Sequence, residues 1–186
     1  MRLQQSILAV LLLCFTLGTY AQKDVKEEKD LHERAMKVKQ KMIEKDPTLV
    51  TLFDTAKGYA IFPSIGEGGF IIGGASGNGV VYDNNTYIGT ANLKQIDVGL
   101  QAGGKTYGEV IFFESEDALE KFKNNKFKLS AEISATLIKK GTAKKTKFKN
   151  DILVFVLPKK GLMADASIGA QRFTFEKKSD TRVSDF

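Results

Sequence analysis

The chain has very little cysteine and histidine, the residues that most often act as thiolate nucleophiles, general bases or soft metal ligands. Its 186 residues include one cysteine, Cys14, and one histidine, His32. No cysteine follows residue 21, so disulfides, thiolate metal sites and a cysteine nucleophile are excluded from the rest of the chain. His32 lies among charged neighbours, where a lone histidine is far more often solvated than catalytic or metal-bound. We therefore expect a protein that is not an enzyme and that holds no cofactor and no metal.

The chain also lacks a long hydrophobic run. Its most apolar segment, Ile7–Leu17, has 11 residues, whereas a membrane-spanning helix needs about 20. Arg2 precedes this segment and Thr19-Tyr20-Ala21 follows it, with small residues at the positions that a signal peptidase requires. Residues 1–21 are therefore predicted to be a signal peptide. We expect the mature protein to begin at Gln22 and to be periplasmic or secreted.

Cys14 raises the alternative of a lipoprotein. A lipoprotein signal needs a small residue before the cysteine, whereas Leu13 is large and the apolar run continues past Cys14. Lipidation at Cys14 is therefore not expected.

Residues 22–186 are expected to form one domain, and its first part, 22–56, is predicted to be helical. Over Asp24–Lys45 apolar residues recur at helical spacing without glycine or proline, at Leu31, Ala35, Val38 and Met42. A second helix is predicted over Pro47–Ala56, with Asp46 as its cap. The apolar stripe of the first helix is expected to pack on a sheet. The alternative, a helix on a membrane surface, is weakened by the glutamates among its lysines.

The second part, 57–186, is predicted to be mainly β. Between Lys57 and Asp83, 8 of 27 residues are glycine, a density typical of strands that bend or bulge. Asp83-Asn84-Asn85 fits a hairpin turn. Strict alternation predicts one strand over Phe127–Leu137, and a change of phase near Lys94 predicts a bulge there.

These elements predict an α+β fold. We expect the N-terminal helices to pack on a strongly curved antiparallel sheet of about six to eight strands. The pattern leaves open whether the sheet closes into a barrel.

The segment from Gly99 to Thr106, GLQAGGKT, matches the phosphate-binding pattern G-x-x-x-x-G-K-[ST]. That pattern binds phosphate only where a helix follows it. Tyr107–Phe113 alternates as a strand does, so nucleotide binding is not expected and Lys105 is expected to tolerate replacement. In the same strand, Glu109 is the one carboxylate for which an unusual pKa is anticipated.

Lysines dominate the charge of the C-terminal half. Ten lysines and a single acidic residue, Glu132, lie between Lys121 and Lys149. A run of this kind is most often a solvated face. Nucleic acid is disfavoured as a partner, because the run has no arginine for base contacts and few aromatic residues for stacking.

Several spaced motifs resemble the SYLF domain. They are KGYAIFP, GGFIIGG, GNGVVYD, VGLQAGGKTYGEVIFFES and DALEKFK, and the resemblance covers nearly all of the chain after residue 30. The resemblance implies a lipid-binding module. Eukaryotic members are described as binding phosphoinositides and in some cases actin, and we expect neither ligand to transfer to a bacterial envelope protein.

The lysine run and the resemblance together predict a non-enzymatic lipid-binding module that recognises anionic lipid headgroups. The predicted contacts are Lys139, Lys140, Lys144, Lys145, Lys147, Lys149, Lys159 and Lys160. The alternative is a structural or protein-interaction domain of the cell envelope. An anionic lipid or membrane surface is the expected partner, nucleotide and nucleic acid are not, and a protein partner is left open.

Overall fold

The computed structural model describes residues 26–68, 72–98, 105–129, 135–160 and 170–178. In these ranges the helices are α1 (residues 26–45), α2 (Leu49–Thr55), α3 (Glu116–Lys123) and α4 (Thr142–Lys145). The strands are β1 (Gly58–Gly68), β2 (Ile72–Asp83), β3 (Thr86–Val98), β4 (Lys105–Phe113), β5 (Lys128–Leu129), β6 (Thr136–Leu137), β7 (Ile152–Lys160) and β8 (Ala170–Lys177).

The strands form one strongly curved sheet in the order β5-β8-β3-β2-β1-β4-β7-β6. Neighbouring strands are antiparallel except β6 and β7, which are parallel. The predicted fold class is therefore confirmed. Within the described residues β5 and β6 are edges that do not pair, so this part of the sheet is an open half-barrel and not a closed barrel.

Each face of the sheet carries its own hydrophobic core, because side chains alternate along the strands. The face we call the α1 face packs against α1, α2 and α4 and includes Tyr59, Phe112 and Phe155. The opposite face, the α3 face, packs against α3 and includes Phe62, Ile111 and Phe173.

Helix α1 crosses the α1 face over several strands. All four apolar residues predicted to line it, Leu31, Ala35, Val38 and Met42, are buried. Its polar side chains reach successive strands, with Glu28 bonded to Tyr87 of β3 and Lys39 bonded to Tyr59 of β1. The helix is therefore a structural part of the domain, as expected from its apolar stripe.

Two predictions about strands are wrong. The alternating segment Phe127–Leu137 does not form one strand, because β5 pairs with β8 and β6 pairs with β7, at opposite edges of the sheet; residues 130–134 lie outside the described part. Alternation shows that one face is buried, but it does not identify the neighbouring strand. No bulge occurs at Lys94, which pairs in register with Ser76.

The irregularity in the β2–β3 pair lies instead near Gly89, next to the predicted hairpin turn. Asn84 and Asn85 form that turn with φ of 45° and 65°, which is the backbone that a two-residue hairpin requires. The register of β2 and β3 shifts between Val81 and Tyr82. Opposite this shift, Gly89 has φ +152°, and a Cβ there would lie 2.2 Å from the Glu176 carbonyl oxygen. Only glycine fits this position.

Candidate functional site

The predicted lysine face lies on a segment that is anchored at regular intervals. Ile138 and Ala143 are buried, and Phe148 is half-buried against the α1-face core. The lysines between these anchors and directly after the last one are exposed: Lys139, Lys140, Lys144, Lys145, Lys147 and Lys149. Among the described residues, the first five of them form no ion pair. The backbone is therefore held while the ammonium groups face solvent.

The segment follows β7 along the edge of the sheet, so its lysines are spread along that edge. Because β6 is parallel to β7, the chain leaves β6 toward the end of β7 that carries the exposed Lys159. It then returns, so that Lys149 pairs with Ile152 at the start of β7. The two ends of β7 are about 25 Å apart at the usual rise per residue. The side chain of Lys160 lies outside the described part of the structure.

Asp46 ties this segment to the helices. It is fully buried, and its Oδ2 accepts a hydrogen bond of 2.7 Å from the Ala143 N–H at the start of α4. Its Oδ1 accepts from the N–H and hydroxyl of Thr48 at 3.2 and 2.7 Å. Burial alone would raise the pKa of Asp46, but the hydrogen bonds from Ala143, Thr48 and Gly141 lower it below its ordinary value.

Sequence reasoning anticipated only part of this role. It predicted Asp46 as the cap of the second helix, whereas α2 begins at Leu49 with Thr48 at its N-cap position. The partner that sequence reasoning missed, Ala143, lies 97 residues away. No local pattern could have identified it.

A buried polar cluster lies on the α3 face. Glu109 of β4, Gln95 of β3 and Gln171 of β8 are all buried among apolar neighbours. The Gln171 Nε2 group donates to Glu109 Oε2 and to Gln95 Oε1, each at 3.0 Å. The Tyr107 hydroxyl donates to Gln95 Oε1 at 3.2 Å. Glu109 Oε1 and Gln171 Oε1 have no hydrogen-bond partner among the described residues.

Burial raises the pKa of Glu109 to about 8, even though the hydrogen bond from Gln171 lowers it in part. The predicted unusual pKa of this carboxyl is confirmed. A neutral carboxyl that is closed off from solvent has no access to a dissolved substrate. Within the described ranges, no three histidine, cysteine or acidic side chains gather as metal ligands would.

His32 is packed and not freely solvated, which corrects the expectation from its charged neighbours. Its ring lies edge-on to Tyr87, with the ring centres 5.2 Å apart. Both ring nitrogens lie 3.3 Å from the Tyr82 hydroxyl. Its charged neighbours Asp30, Glu33 and Arg34 are exposed, whereas His32 is half-buried and packs between α1 and the sheet.

Residues 99–104 of the phosphate-binding pattern lie outside the described part of the structure, and its last two residues belong to a strand. Lys105 begins β4, which runs as a strand to Phe113. No helix N-terminus therefore follows the pattern to hold a phosphate.

The described residues form a curved sheet with a buried polar cluster on one face and solvent-facing lysines along one edge. Residues 94–183 match the model of the Ysc84 family, which is described as Las17-binding protein actin regulator. This match confirms the predicted resemblance to the SYLF family. That family is in general a non-catalytic binding domain, and the match supports a lipid-binding or actin-regulator-like domain in general terms.

A curated relative is beta cell expansion factor A from Aeromonas veronii. It is 27% identical over 139 residues, which make up 74% of this chain and 52% of the relative. The chain thus spans about half the length of that protein. None of the helices in the described ranges is long and apolar enough to cross a bilayer.

Proposed function

We propose that this protein binds membranes that contain anionic lipids, through the lysine-rich segment 139–149. The main support for this proposal is that the segment exposes six lysines and no acidic side chain while its backbone is anchored by buried residues. Each lysine near an anionic surface contributes about 1 kcal/mol. Anchoring at Ile138 and Ala143 orders the segment before it binds, so less conformational entropy is lost on contact.

The test is sedimentation with vesicles of anionic lipid, compared with zwitterionic vesicles. Wild-type protein is expected to sediment with the anionic vesicles only. Lys144→Glu with Lys145→Glu is expected to weaken partitioning by about 2 kcal/mol or more, roughly 30-fold, because two favourable charges become unfavourable ones. The difference between variant and wild type should shrink as salt is added, since the Debye length falls below about 10 Å above 0.1 M salt.

A matched control is available at the opposite edge of the sheet. Lys126 and Lys128 are exposed next to and within β5, so Lys126→Glu with Lys128→Glu makes the same change in net charge. This control is expected to bind nearly as the wild type does. Equal losses in the two double variants would indicate that net charge alone is responsible. No binding of the wild type to anionic vesicles would favour the alternative, a protein-interaction domain of the cell envelope.

We also propose that the protein acts outside the inner membrane, as a periplasmic or secreted protein. The support is the predicted signal peptide, residues 1–21, which lies outside the described part of the structure. N-terminal sequencing of the protein exported by its host should begin at Gln22. A lipid-modified N-terminus at Cys14, or an uncleaved chain, would contradict this proposal.

A further inference from the structure

A groove lies beside α1 near the end of the sheet that carries Lys159. The helix approaches the sheet closely at Gly108, where an added Cβ would lie 3.0 Å from Val38 Cγ1. Next to this contact, a cavity of about 530 Å³ opens between α1 and strands β1 and β7. Its apolar lining consists of Val38, Pro63, Leu157 and Pro158. A volume of this size suits a small molecule.

The shape of the groove depends on an irregularity in β1. The pairing of β1 with β4 shifts register between Phe62 and Ile65, on either side of Pro63 and Ser64. Proline has no N–H to give to a ladder, so a bulge at this point costs the sheet little. Pro63 and Ser64 line the groove from the sheet side.

Cations surround the apolar lining. They are Arg34, Lys37, Lys41, Lys45 and Lys159, and the acidic side chain among the lining residues is Glu44. Arg34 Nε pairs with Asp30 at 3.1 Å, and Glu44 accepts a hydrogen bond from Gln40 at 3.0 Å. The four lysines form no ion pair with any described residue. The groove therefore has a clear excess of positive charge.

These cations are close enough to affect one another. The pKa of Lys159 lies below its ordinary value, first because of partial burial and then because of repulsion from Lys41 and Arg34. A bound anion would relieve that repulsion.

A second and larger groove, of about 790 Å³, borders the first half of α1 and strands β2, β3 and β8. Its cations are accompanied by the carboxylates of Glu27, Glu28, Asp30 and Glu176. An anion there would meet negative charge, so the smaller groove is the better anion site even though it is less spacious.

We propose that the smaller groove binds the headgroup of a single anionic lipid, with its phosphate beside Lys41 and Lys159 and its first chain carbons against Val38 and Leu157. The apolar lining selects a lipid over a free anion, because an inorganic anion gains nothing from apolar contact. A nucleic acid is disfavoured since the lining contains no aromatic side chain for stacking. This inference rests on the proposed binding of anionic lipid and adds a saturable site for one molecule.

The test is a calorimetric titration of the mature protein with dihexanoyl phosphatidic acid, kept below the concentration at which it forms micelles. The wild type is expected to show one saturable site. Lys41→Gln with Lys159→Gln is expected to weaken binding about tenfold or more. Lys126→Gln with Lys128→Gln removes the same charge at the other edge of the sheet and should change affinity by less than about twofold. Both variants should stay folded because all four lysines are exposed, and melting curves check this.

Two further titrations identify the ligand. Inorganic phosphate and dihexanoyl phosphatidylcholine should each bind far more weakly than the phosphatidic acid. Equal affinity for inorganic phosphate would overturn the lipid assignment, and unchanged affinity of the Lys41 and Lys159 variant would overturn the site. Sedimentation of the wild type with anionic vesicles tests the proposed function separately. If the titration shows no site in the groove but the protein sediments with anionic vesicles, the groove proposal is wrong and the proposed function is still supported.

Discussion

Glu109→Gln is expected to stabilise the protein at neutral pH and to remove part of its pH dependence. Glu109 is fully buried on the α3 face, and its Oε2 accepts a hydrogen bond from Gln171 Nε2. Its Oε1 and the Gln171 Oε1 are both acceptors without a partner among the described residues. A proton on Glu109 supplies the donor that this pair lacks. A glutamine at position 109 carries such a donor at every pH.

The size of the change in the free energy of unfolding follows from the pKa of Glu109. Burial raises the pKa of Glu109 from 4.5 to about 8, so between these values the folded protein holds a proton that the unfolded chain has lost. The stabilising contribution of the neutral form is therefore complete below the unfolded pKa and is lost as pH rises through the folded pKa. The loss is about 1.4 kcal/mol per pH unit. From pH 5 to pH 7 it amounts to about 3 kcal/mol.

The side chains that are hydrogen-bonded in the Glu109 cluster do not add an ordinary pH dependence of their own to this measurement. Gln171 from β8 bonds to Glu109, and Gln95 from β3 and Tyr107 from β4 complete the same hydrogen-bonded cluster. Glutamine side chains do not ionise, and an ordinary tyrosine ionises at about pH 10, outside the range measured. The change in stability over this range can therefore be assigned to the Glu109 carboxyl.

The assay is urea unfolding of the wild type and of Glu109→Gln at several pH values between 5 and 8. The free energy of unfolding of the variant minus that of the wild type should grow by about 3 kcal/mol from pH 5 to pH 7. Glu116→Gln, which changes an exposed carboxyl in the first turn of α3, is the control and should give a constant difference. Parallel curves for Glu109→Gln and wild type would refute a neutral Glu109 in the folded state.

Two other substitutions test the remaining structural arguments. Asp46→Ala should lower the free energy of unfolding by about 2 to 3 kcal/mol in urea titrations at pH 7, because it leaves the buried Ala143 N–H without a partner; Asp54→Ala, on the exposed side of α2, should cost far less. The pKa of Asp46 is depressed, so its stabilising contribution should be lost as pH falls through that value, and the cost of Asp46→Ala should shrink in acid. Lys105→Ala should leave melting temperature and vesicle binding nearly unchanged, whereas ATP binding that this variant abolished would mean that the phosphate-binding pattern is functional.

The helices were predictable because their signals are local. The spacing of Ala35 and Met42 on α1 specifies one buried face. A serine at the start of a helix is another such local signal, and Ser115 caps α3 with its Oγ accepting from the Ala118 N–H at 3.2 Å. The turn at Asn84 and Asn85 was also predictable from the sequence, because asparagine tolerates the left-handed backbone that the hairpin needs.

The buried polar cluster was not predictable from the sequence, and it explains why the prediction of a bulge near Lys94 was wrong. The change of phase near Lys94 assumed that Gln95 faces solvent, whereas Gln95 is buried on the same side of β3 as Leu93. Its partner Gln171 is 76 residues away. A polar residue enters a core only where another satisfies it, and a local pattern does not contain that information.

The charges of α1 also could not be interpreted from the sequence alone, because a local pattern does not show which of them lie together at the proposed ligand site. In the sequence its lysines appear diluted by glutamates, which argued against a basic face. In the structure the acids Glu27, Glu28 and Asp30 border the larger groove, whereas Lys41 and Lys45 border the smaller one beside Lys159. More than 100 residues separate Lys41 from Lys159, so only the fold brings them together.

The groove and the lysine-rich segment are expected to differ in their response to salt when both contact one membrane. The chain leaves β6 toward the end of β7 that carries Lys159, so Lys139 follows on the side where the groove opens. Attraction by exposed lysines is long-ranged and strongly screened by salt, whereas a headgroup held against an apolar lining is screened less. Vesicle binding by the Lys41 and Lys159 variant should therefore be weakened at high salt as well as low salt. Binding by the Lys144 and Lys145 variant should instead approach that of the wild type as salt rises.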